Sequence, residues 1–162
     1  VRRLTMGHEH NHDACIDEAL ARADSLCAKR GVRLTPLRRQ VLEEIWQSHE
    51  AVKAYDLIRQ LSSADHNVKP PTVYRALDFL LEQGLIHRIE SLNGFVGCDR
   101  PHKTHQSQLF ICRECGQVSE CGDESVSRAL DREAQRQGFL VEERIVEVRG
   151  LCARCQIDDK AN

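Results

Sequence analysis

From residue 13 onward, Ile16, Ala19, Leu20, Ala23, Leu26 and Cys27 recur at intervals of three and four. That is the spacing of one buried helical face. Asp13 is placed to cap the start of this helix, and Gly31 to end it. Thr35-Pro36 then offers a capping hydroxyl and a proline at the first helical position, where its missing N–H costs nothing. Val41, Leu42, Ile45 and Trp46 form the stripe of this second helix. A shorter third helix is predicted over about 54–62, with Tyr55, Ile58 and Leu61 inward. The most regular stretch runs from Lys69 to Gly84. Pro70 and Pro71 open it, Val73, Ala76, Leu77, Leu80 and Leu81 line one face, and Gly84 closes it. Its opposite face begins with Thr72, Tyr74 and Arg75.

The period then changes from helix to strand. Leu85 to Glu90 and Phe95 to Cys98 flank Asn93-Gly94, which predicts a hairpin with a two-residue type I′ turn. Short helices followed by a hairpin make a winged-helix arrangement, a fold that presents a helix to the major groove of DNA. Beyond it, strands are expected at 108–112 and about 117–121, then a helix at 124–137 with Val126, Ala129, Leu130 and Ala134 on one side. A last strand is expected at about 139–149. The fold class is therefore α+β. Residues 1–12 read as a tail carrying His8, His10 and His12, 13–98 as the winged-helix domain and 99–107 as a hinge. A small α/β domain follows over 108–157, with 158–162 a second tail. No repeat or low-complexity tract interrupts this order.

Composition changes the picture in three ways. With 162 residues, 41% of them apolar, two small domains would each have a modest core, and such domains often rely on a metal or a partner subunit. A net charge of −2 excludes a general coating of nucleic acid and leaves room for a local basic face. Such a face is visible: Lys29, Arg30, Arg33, Arg38 and Arg39 fall in one stretch without an acid. The opening residues lack the apolar run of a signal peptide or membrane span, so a reducing cytoplasm is expected. There, cysteines hold metal more often than they form structural disulfides.

The chain has eight cysteines, and four of them form the pairs Cys112-x-x-Cys115 and Cys152-x-x-Cys155. Two tight pairs of thiolates close a tetrahedron around zinc and leave no open position, which makes the site structural. A redox dithiol is the competing reading. It is disfavoured because neither pair is predicted to follow a strand and open a helix.

The hairpin proposes a second site. With Asn93-Gly94 as the turn, Leu92 faces Phe95 and Ile89 faces Cys98, so His87 and Cys98 are diagonal neighbours on one face. His105 in the hinge and Glu120 on a later strand lie just beyond, and His102 or Cys121 could replace a member. One thiolate, two imidazoles and one carboxylate suit tetrahedral zinc better than ferrous or manganous ions. A site built from wing, hinge and C-terminal domain would fix how the two domains sit.

Tyr74 and Arg75 occupy the first turns of the 71–83 helix, where a recognition helix meets base edges. Lys69 and Thr72 stand at its start, and Arg33, Arg38 and Arg39 are placed to meet phosphates.

Lys69-Pro-Pro-Thr-Val-Tyr-Arg-Ala-Leu-Asp-Phe-Leu, Arg33-Leu-Thr-Pro and the doubled C-x-x-C with Gly150-Leu-Cys resemble the ferric uptake regulator family, over roughly residues 13–157. The match is to its zinc-responsive branch. Iron-type members carry a dense His-His-x-His cluster before the first C-x-x-C, whereas only His102 and His105 stand here. The resemblance implies a homodimer formed through the C-terminal domain, operator DNA as partner, and repression of zinc uptake with zinc as corepressor. It also implies two zinc ions per subunit, structural on Cys112, Cys115, Cys152 and Cys155, and sensing on His87, Cys98, His105 and Glu120. Tyr74 and Arg75 take its base-contacting positions. His8, His10 and His12 lie outside its pattern. Neither an enzymatic activity, a small organic substrate nor a membrane role is implied. Besides a plain zinc-stabilised interaction module, which leaves the Tyr74/Arg75 helix and the basic cluster unexplained, two alternatives stand beside this reading. One is a sister sensor of another metal or of peroxide. The other is a zinc hydrolase with Glu120 as base, disfavoured by the lack of a His-Glu-x-x-His or other catalytic signature.

Overall fold

A computed structural model describes residues 12–64, 68–101, 108–142 and 144–160. Four helices come first: α1 (His12–Lys29), α2 (Pro36–Trp46), α3 (Ala54–Ala64) and α4 (Pro70–Glu82). Asp13 lies inside α1 and not at its cap, because the helix already includes His12. Thr35 caps α2 as expected, its side chain accepting from the Arg38 N–H at 3.4 Å. The stripes of α1, α2 and α4 merge into one core, with Ala23, Val41, Ile45, Val73 and Leu80 wholly buried. The third helix is turned from its predicted orientation. Tyr55 is 71% exposed, and Leu57, which the pattern had not singled out, is buried with Leu61. Helical spacing from Leu61 reaches Leu57 at four residues and Ile58 at three, so the stripe centres on them and leaves Tyr55 on the far side.

The wing comprises β1 (Ile86–Ile89) and β2 (Gly94–Gly97), paired antiparallel with Ile89 opposite Gly94 and His87 opposite Val96. Its turn differs from the expected one. Glu90–Leu92 coil into a short 3₁₀ turn and Asn93 alone takes a left-handed conformation, at φ 47°. The loop is thus four residues long, and Gly94 already belongs to the strand. At Gly97 a Cβ would lie 2.3 Å from the Trp46 ring, so only glycine lets the wing lie on α2.

The C-terminal half contains β3 (Gln108–Cys112), β4 (Val118–Cys121), α5 (Glu124–Arg136), β5 (Val146–Gly150) and α6 (Ala153–Lys160). The sheet order is β4-β3-β5, antiparallel on one side and parallel on the other. A parallel pair needs a crossover, and α5 is that crossover. The last strand starts later than predicted, at Val146, and α6 was not foreseen; it carries the chain into the stretch read as a tail. None of the described residues of α5 is buried.

Wing and sheet meet at a small apolar cluster of Ile89, Val96, Leu109, Ile111 and Val118. Beside it the Val118 N–H donates to the His49 carbonyl at 2.9 Å, and Glu50 bridges to Gln117. No helix among the described residues is long and apolar enough to cross a membrane.

Candidate metal centres and nucleic-acid face

The first centre follows from strand pairing. Cys112 ends β3 opposite Gly150, which ends its parallel neighbour β5. Two parallel strands that finish together deliver Cys115, on the turn after β3, and Cys152, just after β5, to the same end of the sheet. Cys155 lies in the first turn of α6. Gly116 closes the first turn at φ +71°. The four sulfurs lie within 4.8 Å of one another, and Cys115 Sγ is 3.7 Å from Cys152 Sγ. A tetrahedron with zinc–sulfur bonds of about 2.3 Å has edges of about 3.8 Å, so the spacing fits that ion. The N–H groups of Cys115 and Cys152 pull the Cys112 thiol down to about 6, the latter donating at 3.3 Å. Cys155, hydrogen-bonded to Cys152 and crowded by the other sulfurs, is pushed up to about 12.

One argument from the sequence is overturned here. The second pair does follow a strand, β5, and does open a helix, α6. Placement therefore does not argue against a redox dithiol. The company does: two further thiols converge on the pair.

The second centre gathers His87 from β1, Cys98 just after β2 and Glu120 from β4, their ligand atoms within 4.8 Å of one another. His87 Nε2 stands 3.2 Å from Glu120 Oε2, close to the edge of a tetrahedron with bonds of about 2.0 Å. Cys98 is 2% exposed. Burial, and then the Glu120 carboxylate beside it, push its thiol up to about 12. The Asp99 N–H donates to Glu120 Oε2 at 3.1 Å. A buried thiol and a nearly buried carboxylate oppose each other's ionisation, and a divalent cation between them removes the conflict. The donor set therefore fits zinc.

His87 and Cys98 converge although the predicted register was wrong. Asn93-Gly94 as a two-residue turn would put Ile89 opposite Cys98, whereas Ile89 pairs with Gly94. The two registers differ by four residues. Side chains alternate along a strand, so an even shift keeps both residues on one face. Cys121 is next to Glu120 along β4 and points to the other face. His105 and His102 lie outside the described residues, as do His8 and His10.

On the nucleic-acid face, Lys69, Thr72, Tyr74 and Arg75 are all exposed at the start of α4, opposite its buried stripe. A groove lined by Thr35, Arg38, Thr72 and Arg75 separates α2 from α4. The structure divides the basic cluster. Arg30 donates to the Gln83 carbonyl at 2.7 Å, at the far end of α4. Arg39 pairs with Asp24 of α1. Arg38 lies over the Phe79 ring at 3.6 Å and donates to the Arg33 carbonyl at 2.6 Å. These contacts set the directions of the guanidinium groups, a matter on which sequence spacing is silent. Sequence reasoning also missed Glu147 on β5, whose carboxylate reaches the wing turn. Its only signal was a charge among the valines of a predicted strand.

The profile of the ferric uptake regulator family matches residues 29–149. The zinc uptake regulation protein of Escherichia coli (strain K12) is 48% identical over 141 residues, which make up 85% of this chain and 81% of that protein. A solved structure described as a zinc uptake regulator complexed with zinc and DNA superposes with a TM-score of 0.84 at 44% identity. It covers 91% of this chain and 98% of its own. The crystal structure of holo XcZur gives 0.80 at 39% identity, over 87% and 99% of the two chains.

Proposed function

The chain belongs to the ferric uptake regulator family, and we propose that within it this protein is a zinc-responsive transcriptional repressor that binds operator DNA as a homodimer. The observation that carries this reading is the mixed centre. Its donors come from the wing and from the C-terminal sheet, so occupancy and domain orientation are one event. Each subunit holds two zinc ions. Cys112, Cys115, Cys152 and Cys155 hold the structural one, and His87, Cys98, Glu120 and His105 hold the sensing one, with His105 supplied by the hinge at 99–107. Similarity to a zinc uptake regulator solved with zinc and DNA supports both the metal and the partner.

Zinc bound there would supply a fixed junction and no bond chemistry. His87 and Cys98 hold the wing to that junction, and Glu120 holds the sheet. With the wing fixed, the two copies of α4 in a dimer present Tyr74 and Arg75 to half-sites on one side of the duplex. Thr72, Lys69, Arg33 and Arg38 are placed to meet the backbone around them, and Arg39 would exchange its Asp24 partner for a phosphate. The exposed apolar side chains of the C-terminal half, Val126, Leu130, Phe139, Leu140 and Ile145 among them, supply the surface a second copy covers. The controlled genes are those of zinc uptake, and the cytoplasm, where the DNA is, is the place of action. The family is one of regulators, and no catalytic role is assigned to Glu120.

Fluorescence anisotropy tests this with duplexes selected by the protein from a randomised pool. Tight binding is expected at high buffered zinc, falling on the order of 100-fold when zinc is withdrawn. Binding driven equally by ferrous or manganous ions, or indifferent to any metal, would overturn the zinc reading.

A further inference from the structure

We infer that Glu147 is a second clasp on the wing, a positioning residue that works with the mixed centre to set the wing against the C-terminal sheet. This rests on the reading of the mixed centre as the zinc switch. In the sheet register, Leu109 of β3 stands opposite Glu120 of β4 on one side and opposite Glu147 of β5 on the other. Residues paired across strands share a face. Glu120, Leu109 and Glu147 therefore form one transverse row, apolar in the middle and acidic at both ends.

The middle of that row packs on the wing, with Leu109 in the cluster of Ile89 and Val96. At one end Glu120 meets His87 and the Asp99 N–H at the base of the wing. At the other end the Glu147 carboxylate accepts from the N–H groups of Glu90 at 2.6 Å and Ser91 at 3.1 Å, in the turn at the wing's tip. Partial burial raises the carboxyl, but the bonds from Ser91 and Glu90 outweigh it and hold the group below the ordinary range. The Glu90 side chain is turned away to Arg88, 2.9 Å from its Nε, which leaves the turn's backbone to Glu147.

A strip held at one point still pivots; held at two, it has an orientation. The mixed centre alone would tether the base of the wing and let its tip swing. Glu147 fixes the tip, so the closed arrangement that zinc favours is also the one in which both N–H groups are satisfied. By linkage, whatever stabilises that arrangement raises zinc affinity and DNA affinity together.

The full-length zinc-loaded protein and its Glu147→Ala variant separate the possibilities. Hydrogen exchange read by NMR is expected to show the Glu90 and Ser91 amides protected in the wild type and released in the variant, with the Asp99 amide unchanged. Protection that survives the substitution, or is missing from the wild type, would overturn the clasp. In the presence of a duplex selected by the wild type, the variant is expected to need about tenfold more free zinc for half-maximal binding. Glu147→Gln, which keeps one accepting oxygen, should fall between. Coincident zinc curves would also refute the clasp, as would a loss of DNA affinity that is the same with and without zinc. If the wild type selects no duplex at all, the regulator reading fails, and the exchange measurement still decides on Glu147.

Discussion

The two halves of the chain solve the problem of burial differently. The four helices and the wing enclose a core of their own, with Val41, Ile45, Leu57, Val73 and Leu80 inaccessible. The C-terminal half shows the opposite habit. Leu130 is 41% exposed, Phe139 68% and Leu140 80%, and α5 buries none of its described side chains. Among the described residues, apart from Tyr55 and Tyr74, the large exposed apolar side chains all lie beyond residue 108. One half is complete as a single chain. The other leaves apolar side chains for a second subunit and, on the function proposed above, would be completed by an ion among its four clustered thiols, as small domains commonly require.

That contrast can be broken first at the thiolates. Cys112→Ser is expected to unfold the C-terminal half outright while the helical half keeps its cooperative transition. Circular dichroism melts, followed with and without a zinc chelator, would show one transition lost in the variant and in the chelated wild type alike. A melt unchanged from wild type would mean that the sheet stands without the metal. Next come two leucines in matched helical settings. Leu57→Ala should cost about 2–5 kcal/mol in denaturant unfolding because it leaves a cavity in a closed core. Leu130→Ala should barely move the unfolding of the isolated protomer and instead weaken association, read by analytical ultracentrifugation. Equal losses at the two positions would erase the distinction between the halves. The smallest effect on stability is expected from Cys98→Ser, with melting close to wild type and the zinc response of DNA binding lost.

Sequence periodicity made the helical half legible because a closed core repeats at 3.6 residues and glycine and proline mark its ends. Gly31, Thr35-Pro36 and Gly84 all punctuate the chain where the structure breaks it. It failed at Tyr55, since an aromatic side chain within an amphipathic run is equally compatible with a partner surface. In the C-terminal half the apolar pattern on α5 was real, but it pointed to no surface within the protomer. The cysteine pairs were legible from spacing alone, while α6 was hidden because its eight residues are mostly polar, with Ile157 exposed and no apolar stripe to mark a buried face. Glu120 could be nominated as a candidate ligand, yet its contact with the Asp99 N–H and the reach of Glu147 depend on a sheet register that one sequence does not disclose.

The even register of the wing has a consequence for quality control. A hairpin in which β1 and β2 paired one residue out of step would carry Cys98 to the opposite face from His87. Such a slip would also turn the buried side chains of the wing outward and bring a larger residue than Gly97 against the Trp46 ring. A junction that needs an imidazole from one strand and a sulfur from just past the other sets a second condition on the same register. A metal held at the proposed centre would add to that selection, because a mispaired wing could not bring both donors to one ion.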